Sequence, residues 1–229
     1  MQYINLMKFK YLLLLISLFL SNGILAQSHF LKNLKSGKHQ TIVVYGTSLS
    51  ANPLGWPAML EKEIDRRYPS LIKVENMAAG AMWSTWGVKN LDKRVLSKNP
   101  DLVLIEFAIN DAFLSYKTSP KVCRLNLEYM IDRILEQNPN CDVVVQIMNM
   151  PTGIHFHEHR PDFENYNDVY RKVAKKRKLL LIDHTTYWKP ILEKGLPEYL
   201  KLVPDGIHPE ELAWRTLVTP YILKCLKIK

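Results

Sequence analysis

Several polar residues in this chain have the types and the order that acyl-transfer chemistry needs, and Ser48 is the first of them. It lies in the motif Gly46-Thr47-Ser48-Leu49-Ser50, directly after the apolar run Thr41 to Tyr45. A hydroxyl that follows a buried strand through a tight turn is a candidate nucleophile. A small polar residue in such a turn also commonly caps the next helix, so the motif alone leaves both interpretations open.

Three later segments offer the groups that a serine nucleophile would need. Ala78-Ala79-Gly80-Ala81 offers backbone amides that small side chains leave accessible, and Ile109-Asn110-Asp111 offers a carboxamide. Asp205-Gly206-Ile207-His208 supplies an acid and an imidazole. A hydroxyl becomes nucleophilic when a base takes its proton, and a carboxylate can orient that base. Each segment also has an ordinary explanation as a turn or a helix cap.

The hydrophobic pattern predicts how these segments are positioned. Five short apolar runs alternate with helical patterns, which predicts an α/β fold with three α/β/α layers around a five-stranded parallel sheet. The predicted strands are Thr41 to Tyr45, Lys73 to Met77, Leu102 to Phe107, Val143 to Met148 and Leu179 to Ile182. The predicted helices are Trp56 to Tyr68, Thr85 to Ser97, Pro120 to Gln137, Asp162 to Lys176, and one from Pro209 toward Leu226. Functional groups of such sheets gather at the carboxyl ends of the strands, where these segments lie.

In this order and at these separations, the four segments resemble the four sequence blocks of the SGNH or GDSL-type hydrolases. The resemblance implies a flavodoxin-like SGNH hydrolase fold over residues 27–229, a serine esterase mechanism, and neither a metal nor another cofactor. It makes Ser48 the nucleophile, His208 its general base and Asp205 the acid that orients the imidazole. It also implies an oxyanion hole made of the amides of Ser48 and Gly80 and the side-chain amide of Asn110.

The chain departs from the family pattern at two positions. Thr47 stands where the family signature has Asp, at a position that carries no chemistry, and Ala108 stands where the family usually has Gly. We expect Ala108 to tighten the backbone near the oxyanion site. Asp111 remains a candidate cap for the next helix.

The first 26 residues are typical of a secretory signal peptide. Lys8 and Lys10 precede the apolar run Tyr11 to Leu20, and Ala26 offers a small residue for cleavage. We therefore expect a secreted or periplasmic protein after cleavage near Ala26, with one domain over residues 27–229 and no stable membrane anchor. An uncleaved anchor is the alternative, although the apolar run is short for a membrane span.

Charge and cysteine content narrow the range of partners. The 229-residue chain has a formal net charge of +9, which favours anionic surfaces or substrates in general. No nucleic-acid-binding fingerprint accompanies this charge, so we expect no nucleic-acid partner. The three cysteines do not predict a disulfide framework, and a bridge between Cys141 and Cys225 is left open. The oligomeric state is not indicated.

Alternating histidines in a predicted loop after the fourth strand suggest a metal site as an alternative. His155, His157 and His159 would point the same way on a strand, which suits zinc. Because they fall in a loop and the esterase mechanism needs no metal, we expect them to face solvent or substrate.

Tryptophans near the strand ends suggest a substrate. We predict that Trp56 and Trp83 form a platform for a sugar ring, and that Trp86 and Trp214 are packing residues. The resulting hypothesis is an exported esterase that removes acetyl groups from an acetylated poly- or oligosaccharide or from another small ester. A lipid or aryl-ester hydrolase and a glycan-binding protein without turnover are the alternatives.

Overall fold

The sheet at the centre of the molecule is all-parallel. The computed structural model describes residues 28–229, so the predicted leader 1–26 lies outside the described residues. The strands are β1 (Gln40–Gly46), β2 (Ile72–Asn76), β3 (Leu102–Glu106), β4 (Asp142–Ile147) and β5 (Leu180–Asp183), in the order β2-β1-β3-β4-β5. This order is the flavodoxin-like one. The predicted α/β class, the five parallel strands and the three layers are confirmed.

The strands form where the sequence is apolar without alternation. In β1, the side chains from Ile42 to Tyr45 are all fully buried, and β3 is buried along its whole length. Strands that are covered by helices on both faces need apolar residues on both faces, so their sequences are continuous apolar runs. Gly46, the last residue of β1, pairs with Glu106, the last residue of β3.

Helices cover both faces of the sheet. Within residues 28–229, those of eight or more residues are α3 (Trp56–Asp65), α4 (Ser84–Arg94), α6 (Pro120–Gln137), α8 (Phe163–Arg177) and α9 (Thr185–Glu193). The shorter ones are α1 (His29–Lys35), α2 (Ser48–Ala51), α5 (Ala108–Asp111), α7 (Ile154–His157), α10 (Leu196–Leu200), α11 (Glu211–Ala213) and α12 (Thr219–Cys225). No helix of the described residues is long and apolar enough to cross a membrane.

The layers follow from the helix contacts. Helices α4, α6 and α8 pack side by side on one face, and α3 packs with α12 on the other. Helix α6 has the predicted bounds, and α3, α4 and α8 match predicted helices with ends shifted by a few residues. Helices α9 and α10 were not predicted. Pro190 lies inside α9, where a proline ordinarily interrupts a helix, whereas Pro197 lies in the first turn of α10, where a proline is favoured.

The last predicted helix is a continuous helical run whose hydrogen-bond pattern changes within it. The run begins with α11, becomes a π-helix over Trp214–Val218 and ends with α12. Pro220, near the start of α12, has no N–H to donate to the preceding turn, which favours such a local change of register.

The thiols are not paired. Cys123 and Cys141 are buried, Cys225 is partly buried, and all three are free, so the bridge left open between Cys141 and Cys225 does not form. The core of this fold therefore rests on packing of the sheet against its helices.

A tyrosine of α8 determines where β3 stops. The backbone N–H of Phe107 donates to the Tyr170 hydroxyl at 2.9 Å, and both residues are fully buried. A buried N–H without an acceptor is costly. The Tyr170 hydroxyl therefore allows the chain to leave the sheet just before α5.

We predict that Tyr170→Phe lowers the free energy of unfolding by about 1–3 kcal/mol, because the Phe107 amide loses its acceptor in the core. Urea denaturation followed by circular dichroism measures the change. The matched control is Tyr45→Phe. Its buried hydroxyl donates to the Gly87 carbonyl at 2.7 Å, and that carbonyl keeps its helical partner. A loss for Tyr170→Phe no larger than for Tyr45→Phe would contradict the prediction.

Candidate active site

Ser48, His208 and Asp205 form one continuous hydrogen-bonded chain. The Ser48 Oγ lies 2.9 Å from the His208 Nε2, and the His208 Nδ1 lies 2.6 Å from the Asp205 Oδ2. With the Nδ1 proton donated to the carboxylate, the Nε2 lone pair faces the serine hydroxyl and can accept its proton. The structure thus brings together three residues from opposite ends of the described chain.

Backbone amides keep the Asp205 carboxylate charged and in place. Its Oδ1 accepts the N–H groups of Ile207 at 2.9 Å and of His208 at 2.7 Å. Partial burial alone would raise the pKa of Asp205, but hydrogen bonds from the His208 amide, the His208 ring and the Ile207 amide lower it below its ordinary value. The carboxylate is therefore fixed on the imidazole in its ionised form.

The turn that carries Asp205 and His208 is held by hydrogen bonds from the loop after β4. The Thr152 N–H donates to the Gly206 carbonyl at 2.8 Å, and the Asn149 Nδ2 donates to the Ile207 carbonyl at 2.9 Å. Gly206 has a φ of +82°, and a Cβ there would lie 2.8 Å from the Thr152 hydroxyl. Both the conformation and the close contact require glycine at this position.

The turn that carries Ser48 is held by a buried carboxyl group from β3. Glu106 accepts hydrogen bonds from the Thr47 N–H at 2.6 Å and the Ser50 hydroxyl at 2.7 Å, and it contacts the Thr47 hydroxyl through both oxygens. A side chain at Gly46 would overlap the Glu106 carboxyl, so this position also requires glycine. Thr47 accepts the Leu49 N–H and so caps α2. The residue in the place of the family's Asp therefore has a structural role.

Burial changes the ionisation of that carboxyl group. Glu106 is fully buried, and the loss of hydration raises its pKa to about 7, against the opposing effect of the hydrogen bonds from Ser50 and Thr47. An acidic residue within an apolar strand is the sequence signal for this group, and Glu106 was not among the predicted site residues.

Gly80, on the loop after β2, and Asn110, in the short helix α5, lie on the two segments that flank the serine turn. The Ala79 N–H donates to the Gly46 carbonyl at 3.0 Å, and the Asn110 Nδ2 donates to the Met82 carbonyl at 2.9 Å. Within residues 28–229, neither the Ser48 amide nor the Gly80 amide donates to a protein acceptor. These two amides and the second N–H of Asn110 are thus free to donate hydrogen bonds to an oxygen atom that becomes negatively charged.

The backbone next to Gly80 is held in a strained conformation. Ala81 has a φ of +58°, in the left-handed region that residues with a Cβ seldom adopt. Its carbonyl accepts the Tyr116 hydroxyl at 2.5 Å. This contact fixes the loop that presents the Gly80 amide.

Asp111 caps a helix, although not the one that follows it in sequence. Its Oδ1 accepts the Ser84 N–H at 2.9 Å, at the start of α4. Burial raises the pKa of Asp111 to about 6, against the effect of the hydrogen bond from the Ser84 amide. Asp111 therefore ties the loop after β2 to the end of β3.

Arg160 is a buried cation beside the site that the sequence analysis missed. It follows the histidine loop directly and is only 6% exposed, and its Nη2 donates to the Asn110 Oδ1 at 3.2 Å. No sequence signal separated it from a surface arginine, because its partners in the described chain are carbonyl oxygens rather than carboxylates.

The prediction that Trp56 forms a sugar platform is wrong. Its side chain is only 1% exposed, and its indole N–H donates to the Leu49 carbonyl at 3.2 Å. Trp56 begins α3, and its ring turns into the core, where it satisfies a carbonyl at the end of α2. It cannot present a ring face to a ligand.

Trp83 remains partly exposed and begins an aromatic series along the rim. Its ring stacks on Tyr116 with centroids 4.5 Å apart and 9° between the planes. Tyr116 contacts Phe113 at 5.2 Å, and Phe113 contacts His159 at 5.3 Å. His159 then contacts His155 at 5.8 Å. This aromatic rim, Trp83-Tyr116-Phe113-His159-His155, runs from the Gly80 loop toward the Asp205 turn.

The three histidines of the rim loop do not face one direction. Residues 154–157 form the short helix α7, so His155 lies beside His159 while His157 contacts Phe156. Within residues 28–229, no three His, Cys, Asp or Glu side chains lie together as metal ligands. Burial and then the Arg160 guanidinium lower the pKa of His155, which keeps this ring neutral near pH 7.

Comparisons with known proteins agree with this geometry. The model of the GDSL-like lipase/acylhydrolase family matches residues 43–213. A lipase/acylhydrolase from Enterococcus faecalis is similar, with 24% identity, a TM-score of 0.69 and coverage of 82% of this chain and 95% of that one. An alpha/beta hydrolase enzyme from the metagenome of Lake Arreo, Spain, has 18% identity, a TM-score of 0.71 and coverage of 83% and 96%. A search of curated protein sequences gives no match.

An acetylxylan esterase from Geobacillus stearothermophilus is also similar in structure. It has 19% identity and a TM-score of 0.71, with coverage of 84% of this chain and 96% of that one. Three of its structures are of catalytic mutants, in which a serine, a histidine, or an aspartate three positions before that histidine is replaced by alanine. At this identity the likeness establishes the fold.

We predict that Glu106→Gln stabilises the protein increasingly as the pH rises. The native pKa of about 7 lies above the ordinary value of 4.5, so the native state holds the proton that the unfolded state has lost, and wild-type stability falls between these pH values. The uncharged glutamine avoids this loss, which amounts to about 3 kcal/mol by pH 8. Urea denaturation at pH 4.5, 6 and 8 tests this, and a pH-independent difference between the two proteins would contradict it.

Proposed function

Because the chain belongs to the GDSL-like lipase/acylhydrolase family, a family of ester hydrolases, we propose that it is an exported serine esterase that removes O-acetyl groups from a carbohydrate. The family assignment rests on the match over residues 43–213, and the substrate and the export are our proposal. The observation that carries the proposed mechanism is the chain of hydrogen bonds from the Ser48 Oγ through His208 to Asp205.

In the proposed acylation step, the Ser48 Oγ attacks the ester carbonyl carbon while the His208 Nε2 takes the hydroxyl proton. The carbonyl oxygen becomes an oxyanion, which accepts hydrogen bonds from the Ser48 and Gly80 amides and the Asn110 Nδ2. Collapse of this tetrahedral intermediate breaks the bond to the alcohol oxygen. The departing alcohol takes the proton from His208 and leaves an acyl group on Ser48.

Water completes the reaction on the same residues. His208 takes a proton from a water molecule, and the resulting hydroxyl attacks the acyl carbon. A second oxyanion forms in the same hole and collapses with release of acetic acid, which loses its proton to solvent, while His208 returns its own proton to Ser48. Asp205 stays ionised throughout and stabilises the imidazolium that forms in each half of the reaction.

Two observations support a carbohydrate substrate. Trp83 and Tyr116 provide aromatic surface beside the Gly80 loop, and aromatic faces of this kind stack on sugar rings. In addition, one structurally similar protein is an acetylxylan esterase, and its catalytic mutants replace a serine, a histidine and an aspartate whose order and three-residue spacing match Ser48, Asp205 and His208. Export is supported by the signal-like sequence of residues 1–26.

A lipid or aryl ester is the second candidate substrate, and exposed aliphatic side chains favour it. Leu54, Leu114 and Ile154 lie on the loops after β1, β3 and β4, and each is more than half exposed. Apolar side chains on three loops of one rim could contact an acyl chain or a lipid surface. Activity on short against long acyl esters distinguishes this substrate class from an acetylated carbohydrate.

We predict that Ser48→Ala lowers kcat for a short-chain aryl acetate by about a thousandfold or more, because no other group forms the acyl intermediate. The control is Ser97→Ala. Ser97 is exposed, donates to the Lys93 carbonyl and precedes β3, at the other end of the sheet. Equal rates for Ser48→Ala and wild type would contradict the serine mechanism. Activity that survives in Ser48→Ala but is lost with a chelator would instead indicate a metal-assisted reaction, and glycan binding without hydrolysis would indicate a lectin.

We predict that Trp83→Leu raises KM for acetylated xylo-oligosaccharides by about two- to tenfold, since it removes a stacking surface worth about 1 kcal/mol. Hydrolysis of ethyl acetate, which has no ring to stack, should change less than about twofold by the same arithmetic. Trp86→Leu is the matched control, because Trp86 packs against Tyr45 and Phe107. Parallel changes on both substrates in Trp83→Leu would contradict a sugar platform.

A further inference from the structure

The Arg160 guanidinium is buried beside the oxyanion donors without a carboxylate partner. Its side chain is only 6% exposed, and no Asp or Glu in the described residues pairs with it. The half-buried Arg171, in contrast, pairs with Asp183 at 2.8 Å and with Glu164 at 2.7 Å. Burial of an unpaired cation is costly, so its position calls for an explanation other than stability.

Neutral oxygen atoms hold this guanidinium in one orientation. The Nε donates to the Ile109 carbonyl at 2.7 Å, the Nη2 to the Asn110 Oδ1 at 3.2 Å and the Nη1 to the His155 carbonyl at 3.4 Å. The plane lies over the Phe113 ring, 4.9 Å from its centroid. The planar guanidinium therefore binds both the backbone carbonyl of Ile109 and the side-chain oxygen of Asn110.

These contacts fix which end of the Asn110 amide faces which neighbour. Arg160 can only donate, so it selects the Oδ1 end, and the Met82 carbonyl can only accept, so it selects the Nδ2 end. One hydrogen of the Nδ2 is used by Met82, and the other remains for a substrate oxygen. A cation on the Oδ1 also polarises the amide and strengthens its N–H as a donor.

We propose that Arg160 is a positioning residue for the oxyanion hole, which orients and polarises the Asn110 carboxamide for a negatively charged intermediate. This inference rests on the proposed esterase function. The cation also lies one amide group away from the position where the oxyanion forms. Its charge therefore has no anionic partner in the resting enzyme and gains one in the transition state, which is the pattern that accelerates a reaction.

A purely structural role for Arg160 predicts different behaviour. Its bond to the His155 carbonyl could serve only to support the rim loop. Loss of such a support would change substrate binding or stability, independently of Asn110. An effect through Asn110 requires that the two substitutions be strongly non-additive in kcat.

A double-mutant cycle on Arg160→Met and Asn110→Ala tests the proposal with a short-chain aryl acetate. We expect Arg160→Met to lower kcat by about tenfold or more in the wild-type background, with KM within about twofold, because it weakens one oxyanion donor. In the Asn110→Ala background we expect the same substitution to lower kcat by less than about threefold. Thermal unfolding of all four proteins shows whether each is folded.

Arg171→Met is the matched control, because Arg171 lies in α8 and pairs with Asp183 at the end of the edge strand β5. Within residues 28–229 its hydrogen bonds include no residue of the proposed machinery. We expect it to leave kcat within about twofold in both backgrounds, since distant sites are additive. Equal effects of Arg160→Met in the two backgrounds would overturn the proposal, as would a change in KM with kcat unchanged. If Ser48→Ala is inactive while the cycle is additive, the esterase function stands and only the role of Arg160 fails.

Arg160→Lys provides a second route if the methionine variant does not fold. A lysine keeps the charge, but it cannot donate to the Ile109 carbonyl and the Asn110 Oδ1 with a rigid fork. We expect it to lower kcat by about threefold or more in the wild-type background and by less than about twofold in the Asn110→Ala background. A kcat equal to that of the wild type in Arg160→Lys would overturn the claim that the planar guanidinium orients the Asn110 carboxamide.

Discussion

The tie between Thr152 and Gly206 is the interaction on which the position of the site depends. β1, which carries Ser48, lies three places from β5 in the strand order, and the chain must return across the sheet before it reaches His208. The return passes through α9 and α10, and the Thr152 N–H, on the loop after β4, then donates a hydrogen bond to the Gly206 carbonyl. Without this bond and the neighbouring one from Asn149 to the Ile207 carbonyl, the sheet would position the serine, and the turn that carries the imidazole would lose its support on β4.

Buried charged or ionisable groups form further hydrogen bonds that join neighbouring segments around the site. Glu106 holds the Thr47 amide, Asp111 holds the Ser84 amide, and Arg160 holds the Asn110 side chain. Each group reaches from one strand-end segment to the next, and each is nearly inaccessible to solvent. Because such groups lose hydration on folding, the apolar sheet must offset their cost. In return, the loops are held by directional bonds, and apolar packing alone would not fix their orientation.

The sequence reveals the parts of this design that depend on pattern. The strands can be predicted because burial on both faces makes them continuous apolar runs. Ser48 follows a strand end, and Asp205 and His208 come later in the chain in an order that resembles a family. The burial of Trp56 could not be predicted, since its position at the start of a helix does not indicate whether its side chain faces the core or the solvent. Arg160 could not be found either, because its partners in the described chain are backbone carbonyls and one carboxamide oxygen, and none of these marks an arginine partner in a sequence.

The unpaired charge of Arg160 also bears on how the ground state and the transition state differ. A carboxylate beside this cation would stabilise the resting protein, yet it would also neutralise the field that the oxyanion meets. Hydrogen bonds to neutral oxygens keep the guanidinium buried with directional contacts, and in the proposed mechanism its charge is then available to the intermediate. Only interactions that strengthen as the reaction proceeds lower the barrier. In the proposed mechanism, a buried cation that costs stability in the resting protein would therefore lower the barrier to turnover.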